Sequence, residues 1–345
     1  MKDIVLLLTA VGCPGGATCI KYLKKVDERK VYIIGVDSNP EAIGRFLCDS
    51  FQTVPPANSS NYIEKIIDVI DKYHPDCMIP ASSYDVNIIS REIKRLDTNV
   101  LCSDIEHLEI ANNKFLLYEK VKDDINIKIP DFILVKTLQE FLDAYRELDG
   151  DNRSLCFKPP FSKGSRGFRY IDNKINRKDL LLNYKPENKF ISLSEFIDIF
   201  ENDENFPQLL LMESIKGEEI DSMVLAMDGK CLLISHKTRE KERSGVIIQG
   251  EQVVRENISE SIRAIVKKIP LKYNFGIQFI NGYLIEINPR LSTFMYQKDW
   301  IEPYFAIKLA LGEFTKSDII KLQNKIPIGL RMCRYFDQVF FRRSI

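Results

Sequence analysis

The run Gln278-Phe279-Ile280-Asn281-Gly282-Tyr283-Leu284-Ile285-Glu286-Ile287-Asn288-Pro289-Arg290 sets a carboxylate, an amide and a guanidinium at alternate positions. In an extended strand such positions share one face, so Glu286, Asn288 and Arg290 point one way while Ile285 and Ile287 point to a core. Two hard oxygen donors suit a magnesium ion, and a guanidinium beside them suits a phosphoryl group. A generic polar strand face is the alternative. Gln278 can join Glu286 only if the two pair across a hairpin with an odd loop centred on Gly282. A two-residue Asn281-Gly282 turn would set Gln278 opposite Ile285, aimed at the other face. Placing Gln278 with Glu286 therefore predicts a three- or five-residue loop, or a bulge.

Two further segments have the composition of an anion site. Leu155-Cys156-Phe157-Lys158-Pro159-Pro160 ends an apolar run in a lysine that Pro159 keeps extended, and a lysine is costly to bury without an anion. The loop after it, with Ser162, Lys163, Gly164, Ser165, Arg166 and Gly167, offers N–H groups, hydroxyls and cations that could close over phosphates; a solvated hairpin would use the same residues. It is not a Walker loop, because no G-x-x-x-x-G-K-[ST] occurs. Leu209 to Met212 reads as a buried strand entering Glu213-Ser214-Ile215, with Glu219 and Asp221 beyond. A backbone edge with apolar flanks and a carboxylate for a ribose hydroxyl would serve an adenine nucleotide, although an acidic surface turn explains the segment equally. At the N-terminus, Gly12-Cys13-Pro14-Gly15-Gly16-Ala17 followed by Asp37 hints at a dinucleotide site, but Pro14 stands where that fingerprint needs glycine. The turn then serves close helix-to-sheet packing, or lines a pocket for a second substrate.

These residues need a frame. Ile4 to Thr9, Val31 to Val36, Phe51 to Val54, Cys77 to Ile79 and Val100 to Leu101 are short β-branched runs alternating with helical patterns at Ser59 to Tyr73 and Asp85 to Leu96, which predicts a parallel α/β sheet. A helix is expected over Asn112 to Val121 and a break at Pro130. A smaller α/β lobe follows, with strands Phe132 to Val135, Leu155 to Lys158 and Phe168 to Ile171 and a helix Leu138 to Leu148. Asp228-Gly229 and Asn281-Gly282 mark hairpins in an antiparallel last part. The expected domains are 1–110, 111–206 and 207–345.

Lys plus Arg and Asp plus Glu stand at 49 each, so no net field favours nucleic acid or an acidic membrane. With 45% hydrophobic and 28% charged residues the chain reads as globular. Ile4 to Val11 is too short to span a bilayer and enters a turn rather than a cleavage site, so a cytosolic (cytoplasmic) location is expected. Eight scattered cysteines without a C-x-x-C pair argue for free, mostly buried thiols rather than zinc.

On the residues just quoted, together with Asn113-Lys114-Phe115, the sequence resembles the ATP-grasp superfamily, most closely its carbamoyl-phosphate-synthase-like small carboxylate-amine ligases. The resemblance implies an α/β chain with an ATP-grasp fold, two α+β lobes clasping ATP, preceded by a Rossmann-like pre-ATP-grasp domain. It implies that Lys114 and Lys158 grip phosphates, that Ser162 to Gly167 (with Lys163, Gly164 and Ser165) form a lid, and that Glu213, Ser214 and Ile215 border adenine. It further implies Glu219 on the ribose, Gln278, Glu286 and Asn288 on magnesium or manganese, and Arg290 at the reacting phosphoryl. The implied reaction phosphorylates a carboxylate with ATP and passes the acyl phosphate to an amine, releasing ADP. A carbamate- or bicarbonate-phosphorylating enzyme and a regulatory ATP-binding module are the alternatives. Small-molecule partners and no nucleic acid or membrane are expected, and a homodimer could form. Lys237 to Gly245 lies where relatives keep substrate-facing groups; Arg239 and Arg243 are the candidates, with a solvated charge run as the other reading.

Overall fold

The computed structural model describes residues 1–162, 166–183, 189–243, 245–291 and 295–342. By internal contacts it forms two compact units, one of Met1–Asn112, Glu219–Gln278 and Glu286–Ile345, the other of Asn113–Glu218 and Phe279–Ile285.

The first unit opens with the expected parallel sheet. Strands β1 (Ile4–Thr9), β2 (Val31–Asp37), β3 (Ser50–Thr53), β4 (Cys77–Ile79) and β5 (Asn99–Val100) lie in the order β3-β2-β1-β4-β5. Because β1 is central and the chain leaves it to both sides in turn, the carboxyl ends of the strands diverge there and leave a crevice. The glycine turn leads into helix Gly16–Leu23, and a Cβ on Gly16 would meet the Val11 carbonyl oxygen at 2.6 Å. That contact accounts for the glycine by packing alone. Helix Tyr62–Tyr73 buries Tyr62, Ile63, Ile66, Val69 and Ile70 on one stripe, as its spacing predicts. Helix Ser83–Arg91 starts on Ser82, whose hydroxyl accepts from the backbone N–H groups of Tyr84 and Asp85.

The second unit begins at Asn113, where the side chain caps helix Lys114–Val121. The preceding helix Ile105–Asn112 belongs to the first unit and was not expected; its apolar positions are too few for a clear stripe. The sheet of this unit holds β6 (Phe132–Val135), β7 (Leu155–Lys158), β8 (Arg169–Ile171), β9 (Phe190–Ile191) and β10 (Leu209–Glu213) in the order β6-β10-β7-β8-β9. Phe141, Phe157, Phe196 and Leu211 centre its core.

Strands β11 (Glu219–Met227), β12 (Lys230–Thr238), β13 (Lys241–Arg243), β14 (Val246–Val253), β15 (Tyr273–Ile280), β16 (Tyr283–Asn288) and β17 (Arg331–Cys333) form a seven-stranded sheet ordered β13-β14-β12-β11-β15-β16, with β17 on β14. Asp228 and Gly229 make the β11–β12 turn with φ of 51° and 70°. In the first unit one core runs from Leu6, Leu8 and Ile33 to Leu225, Leu233, Trp300 and Ile307. The β15–β16 turn differs from expectation. It has two residues, Asn281 and Gly282, with φ of 49° and 79°, not three or five. The Asn-Gly pair favours left-handed backbone at both positions, which is what the tightest hairpin needs. All eight cysteines are free. Among the described residues no helix is long and apolar enough to cross a membrane.

Candidate active site

In the first unit, Glu286 and Asn288 sit at the end of β16, both half-buried rather than packed in apolar core. The Asn288 amide nitrogen donates to Glu286 Oε1 at 3.2 Å. With the nitrogen engaged in that way, the amide oxygen is the atom left to meet a hard cation. Among the described residues no group of three or more His, Cys, Asp or Glu is placed to hold a metal. A site of one carboxylate and amide oxygens fits magnesium, which commonly takes one or two carboxylates and completes its shell with phosphate oxygens and water.

Arg290 follows on the backbone, its N–H donating to the Asn288 carbonyl at 2.7 Å. Its guanidinium is steered by two bonds: Nε to Ser83 Oγ at 2.8 Å and Nη1 to the Leu291 carbonyl at 2.8 Å. Burial pulls the guanidinium below its ordinary value, and Cys13, Glu286 and Asp221 pull it back. Arginine stays charged under such pressure, so the site keeps a fixed cation beside Glu286.

Glu219 and Asp221 share a face of β11 and are bridged by Arg239, whose Nε donates to Glu219 at 3.1 Å and whose Nη1 donates to Asp221 at 3.2 Å; its Nη2 donates to Glu242 at 2.7 Å. The Arg239 side chain is only 9% exposed, so it is no member of a solvated charge run. Arg243 is different: exposed, it lies 4.8 Å over the Phe336 ring. Gln278 Nε2 donates to Glu219 Oε2 at 3.4 Å. Both bonds to Glu219 use Oε2, so Oε1 is spared by them. The two-residue turn removes the loop that would pair Gln278 with Glu286, and Gln278 bonds the carboxylate on β11 instead.

Deeper on the same face lies buried Lys237, whose charged neighbours the sequence did not single out. Lys237 pairs with Asp221 across β11 and β12 and is 1% exposed; desolvation drives its ammonium down to about 7 against the pull of Asp221 and Glu302. Glu302, also buried, is driven up to about 7 by desolvation, while Trp300 Nε1 donates to it at 3.0 Å and Ser235 Oγ at 3.2 Å. The only signal was a lysine at the end of an apolar strand, since Glu302 lies more than sixty positions from Lys237.

In the second unit, Lys158 ends β7 and Lys114 opens its helix; both are 6% exposed. They are linked through the backbone, because the Lys114 N–H donates to the Pro160 carbonyl at 2.9 Å. A buried ammonium needs strong acceptors, and phosphate oxygens are of that kind. Gly167, with φ of 74°, folds back until a Cβ there would meet Pro159 at 2.7 Å. Ser162 is half-buried, whereas Lys163, Gly164 and Ser165 lie outside the described residues. Glu213 forms an ion pair with Arg153 at 2.9 Å, and the Ser214 N–H donates to the Ser154 carbonyl at 2.8 Å. Ile215, in the loop after β10, is therefore the part of Glu213 to Ile215 with no backbone donor bond among the described residues.

Comparison with known proteins agrees with this architecture. Residues 205–329 match the family model described as ATP-grasp in the biosynthetic pathway with Ter operon, and residues 6–101 match the PylC-like N-terminal domain. No curated protein matches in sequence. Among solved structures, N5-carboxyaminoimidazole synthetase of Staphylococcus aureus complexed with ADP is similar at a TM-score of 0.59 and 13% identity, covering 93% of this chain and 76% of that one. The biotin carboxylase domain of Hydrogenobacter thermophilus 2-oxoglutarate carboxylase, in complex with MgADP and bicarbonate, gives 0.64 and 16%, covering 92% and 72%. D-alanine–D-alanine ligase of Bacillus anthracis gives 0.55 and 16%, covering 94% and 99%. At such identities the likeness is one of fold: the chain has an ATP-grasp fold, its residues 205–329 match an ATP-grasp family, and a PylC-like α/β domain lies ahead of them.

Proposed function

We propose that the chain is an ATP-dependent ligase that phosphorylates a small carboxylate and joins the activated acyl group to an amine, releasing ADP and phosphate. The observation that carries this reading is the Glu286, Asn288 and Arg290 arrangement: oxygen donors and a steered guanidinium on one strand end. In this reading Lys114 and Lys158 hold ATP phosphates, Ser162 to Gly167 with Lys163, Gly164 and Ser165 cover them, Glu213, Ser214 and Ile215 border adenine, and Glu219 Oε1 takes a ribose hydroxyl. Glu286 and Asn288 hold magnesium, or manganese in its place, while Gln278, not carried to Glu286 by the two-residue turn, braces Glu219 instead. Bound there, the ion would offset charge on the phosphate oxygens. Arg290 stabilises the charge that develops on the transferred phosphoryl group as the carboxylate oxygen attacks in line, and the amine then displaces phosphate from the acyl phosphate. No side-chain nucleophile is needed, so positioning and electrostatics carry the rate. Cytosolic small molecules are the partners that fit this chemistry.

The test incubates the protein with Mg-ATP, a panel of carboxylates and hydroxylamine, and follows ADP and hydroxamate together. Joint appearance with one carboxylate is expected, and Glu286→Ala or Arg290→Ala should lower the rate by about 10² to 10³. Full turnover in either variant would refute the residue roles. ATP binding with no ADP from any mixture would replace this reading with a regulatory module.

A further inference from the structure

At the carboxyl edge of the parallel sheet, where β1 separates β2 and β3 from β4 and β5, lies a cavity of about 380 Å³ within the first unit. It is small-molecule sized and stands at the crevice where open α/β sheets take ligands. Its wall is part apolar, with Val36, Val54 and Pro55, and part acidic, with Asp37 and Asp85. No lysine, arginine or histidine is among its lining residues.

The acidic groups are built in, not scattered on a surface. Asp85 is 7% exposed and is held by the Thr9 hydroxyl, which donates to its Oδ2 at 2.7 Å. Burial raises the Asp85 carboxyl above its ordinary value, and Asp37 adds to the rise. Asp37 in turn accepts from the Gly12 N–H at 2.8 Å and the Asn39 N–H at 2.9 Å. A second observation comes from Tyr62, which lines the same cavity and is 2% exposed. Its hydroxyl lies near enough to Asp85 to feel that charge, yet has no hydrogen-bond partner of proper geometry. A buried hydroxyl left unsatisfied costs stability unless something else meets it.

We propose that this cavity binds a small organic ammonium compound, its cationic head between Asp37 and Asp85 with the Tyr62 hydroxyl as a further contact, and its body against Val54 and Pro55. Two carboxylates without a lining cation disfavour phosphate or carboxylate ligands and favour a positive donor-rich head, for which both carboxylates and the phenol oxygen can accept. The site does not depend on the ligase reading. It could hold the amine that reading requires, or an amine that is never consumed.

The test is calorimetric titration of the full chain, without nucleotide, with ethanolamine, 1,4-diaminobutane and glycine amide, against acetate and inorganic phosphate as controls. Saturable binding of at least one amine at one per chain is expected, with no binding of either anion. Asp85→Asn, which keeps shape and removes charge, should weaken it by about tenfold or more. Ala57→Leu, which fills the cavity and leaves both carboxylates, should abolish it, so the proposal stays testable if the first variant folds poorly. Absence of saturable amine binding, undiminished binding in a folded variant, or equal binding of acetate or phosphate would overturn the assignment. Adding Mg-ATP and the carboxylate panel then separates the two sources: the bound amine appears in an amide product, or is recovered unchanged, and the site stands in either case.

Discussion

His236 provides a sharp test of how the first unit is held. It lies on β12, 4% exposed, with Nδ1 2.7 Å from Ser222 Oγ and Nε2 2.8 Å from Ser259 Oγ, so one ring ties β11 and β12 to helix Glu256–Lys268. Desolvation lowers its pKa from 6.5 to about 4, with Glu256 opposing and Arg255 and Arg263 assisting. Between those values the unfolded chain binds a proton that the folded chain does not, so stability rises with pH across the window. The contribution is complete above about pH 6.5 and is lost as pH falls toward and through about 4. At about 1.4 kcal/mol per pH unit the full window is worth about 3 kcal/mol. The single tryptophan, Trp300, is buried in the same unit, so urea unfolding followed by its fluorescence reports this unit. His236→Gln keeps a donor and an acceptor for the two serines but cannot titrate. Measured at pH 7, 6, 5 and 4, the wild type should lose about 3 kcal/mol more than the variant. Parallel curves for the two proteins would show that the ring is not held neutral, and the reasoning from its burial would fail.

Three other outcomes follow from the geometry. Gly16→Ala should destabilise by about 1–3 kcal/mol despite alanine's better helix propensity, because the new methyl meets a backbone oxygen that cannot rotate away; an unchanged urea midpoint would refute it. Ser83→Ala should lower kcat of the hydroxamate assay by about tenfold while leaving KM for ATP near wild type, since only the aim of Arg290 is lost; a change in KM alone would refute it. Glu302→Gln removes a carboxyl whose folded value is raised to about 7, so the stability that wild type loses by ionising it as pH rises from 6 to 8 should be spared in the variant, whose thermal deficit should be smaller at pH 8 than at pH 6; an equal deficit at both pH values would refute it.

Much of the frame can be read from local pattern. The strands of the parallel sheet and strand β10 into Glu213 appear within a residue or two of where apolar, β-branched runs place them, because burial demands such runs. The alternation in Glu286-Ile287-Asn288 likewise announces its exposed face. What local pattern did not supply was convergence. Ser83 reaches Arg290 across 207 positions, and Arg239 collects three carboxylates, without any periodic trace of either. At the β15–β16 turn the expectation failed for a different reason: it was drawn from a supposed need to bring Gln278 to Glu286, whereas Asn281-Gly282 had already specified the tighter turn.

The interruption of the first unit by Asn113–Glu218 and of its later part by Phe279–Ile285 bears on biosynthesis. When the ribosome has made residue 218, the inserted unit still lacks the short stretch whose Asn281 N–H donates to the Glu218 carbonyl and whose Leu284 N–H donates to Lys128. Neither unit is then complete until the β15–β16 hairpin has emerged. A gene fragment ending at residue 218 should yield a product with an unfinished edge, and chain synthesis must run past β16 before either half can close.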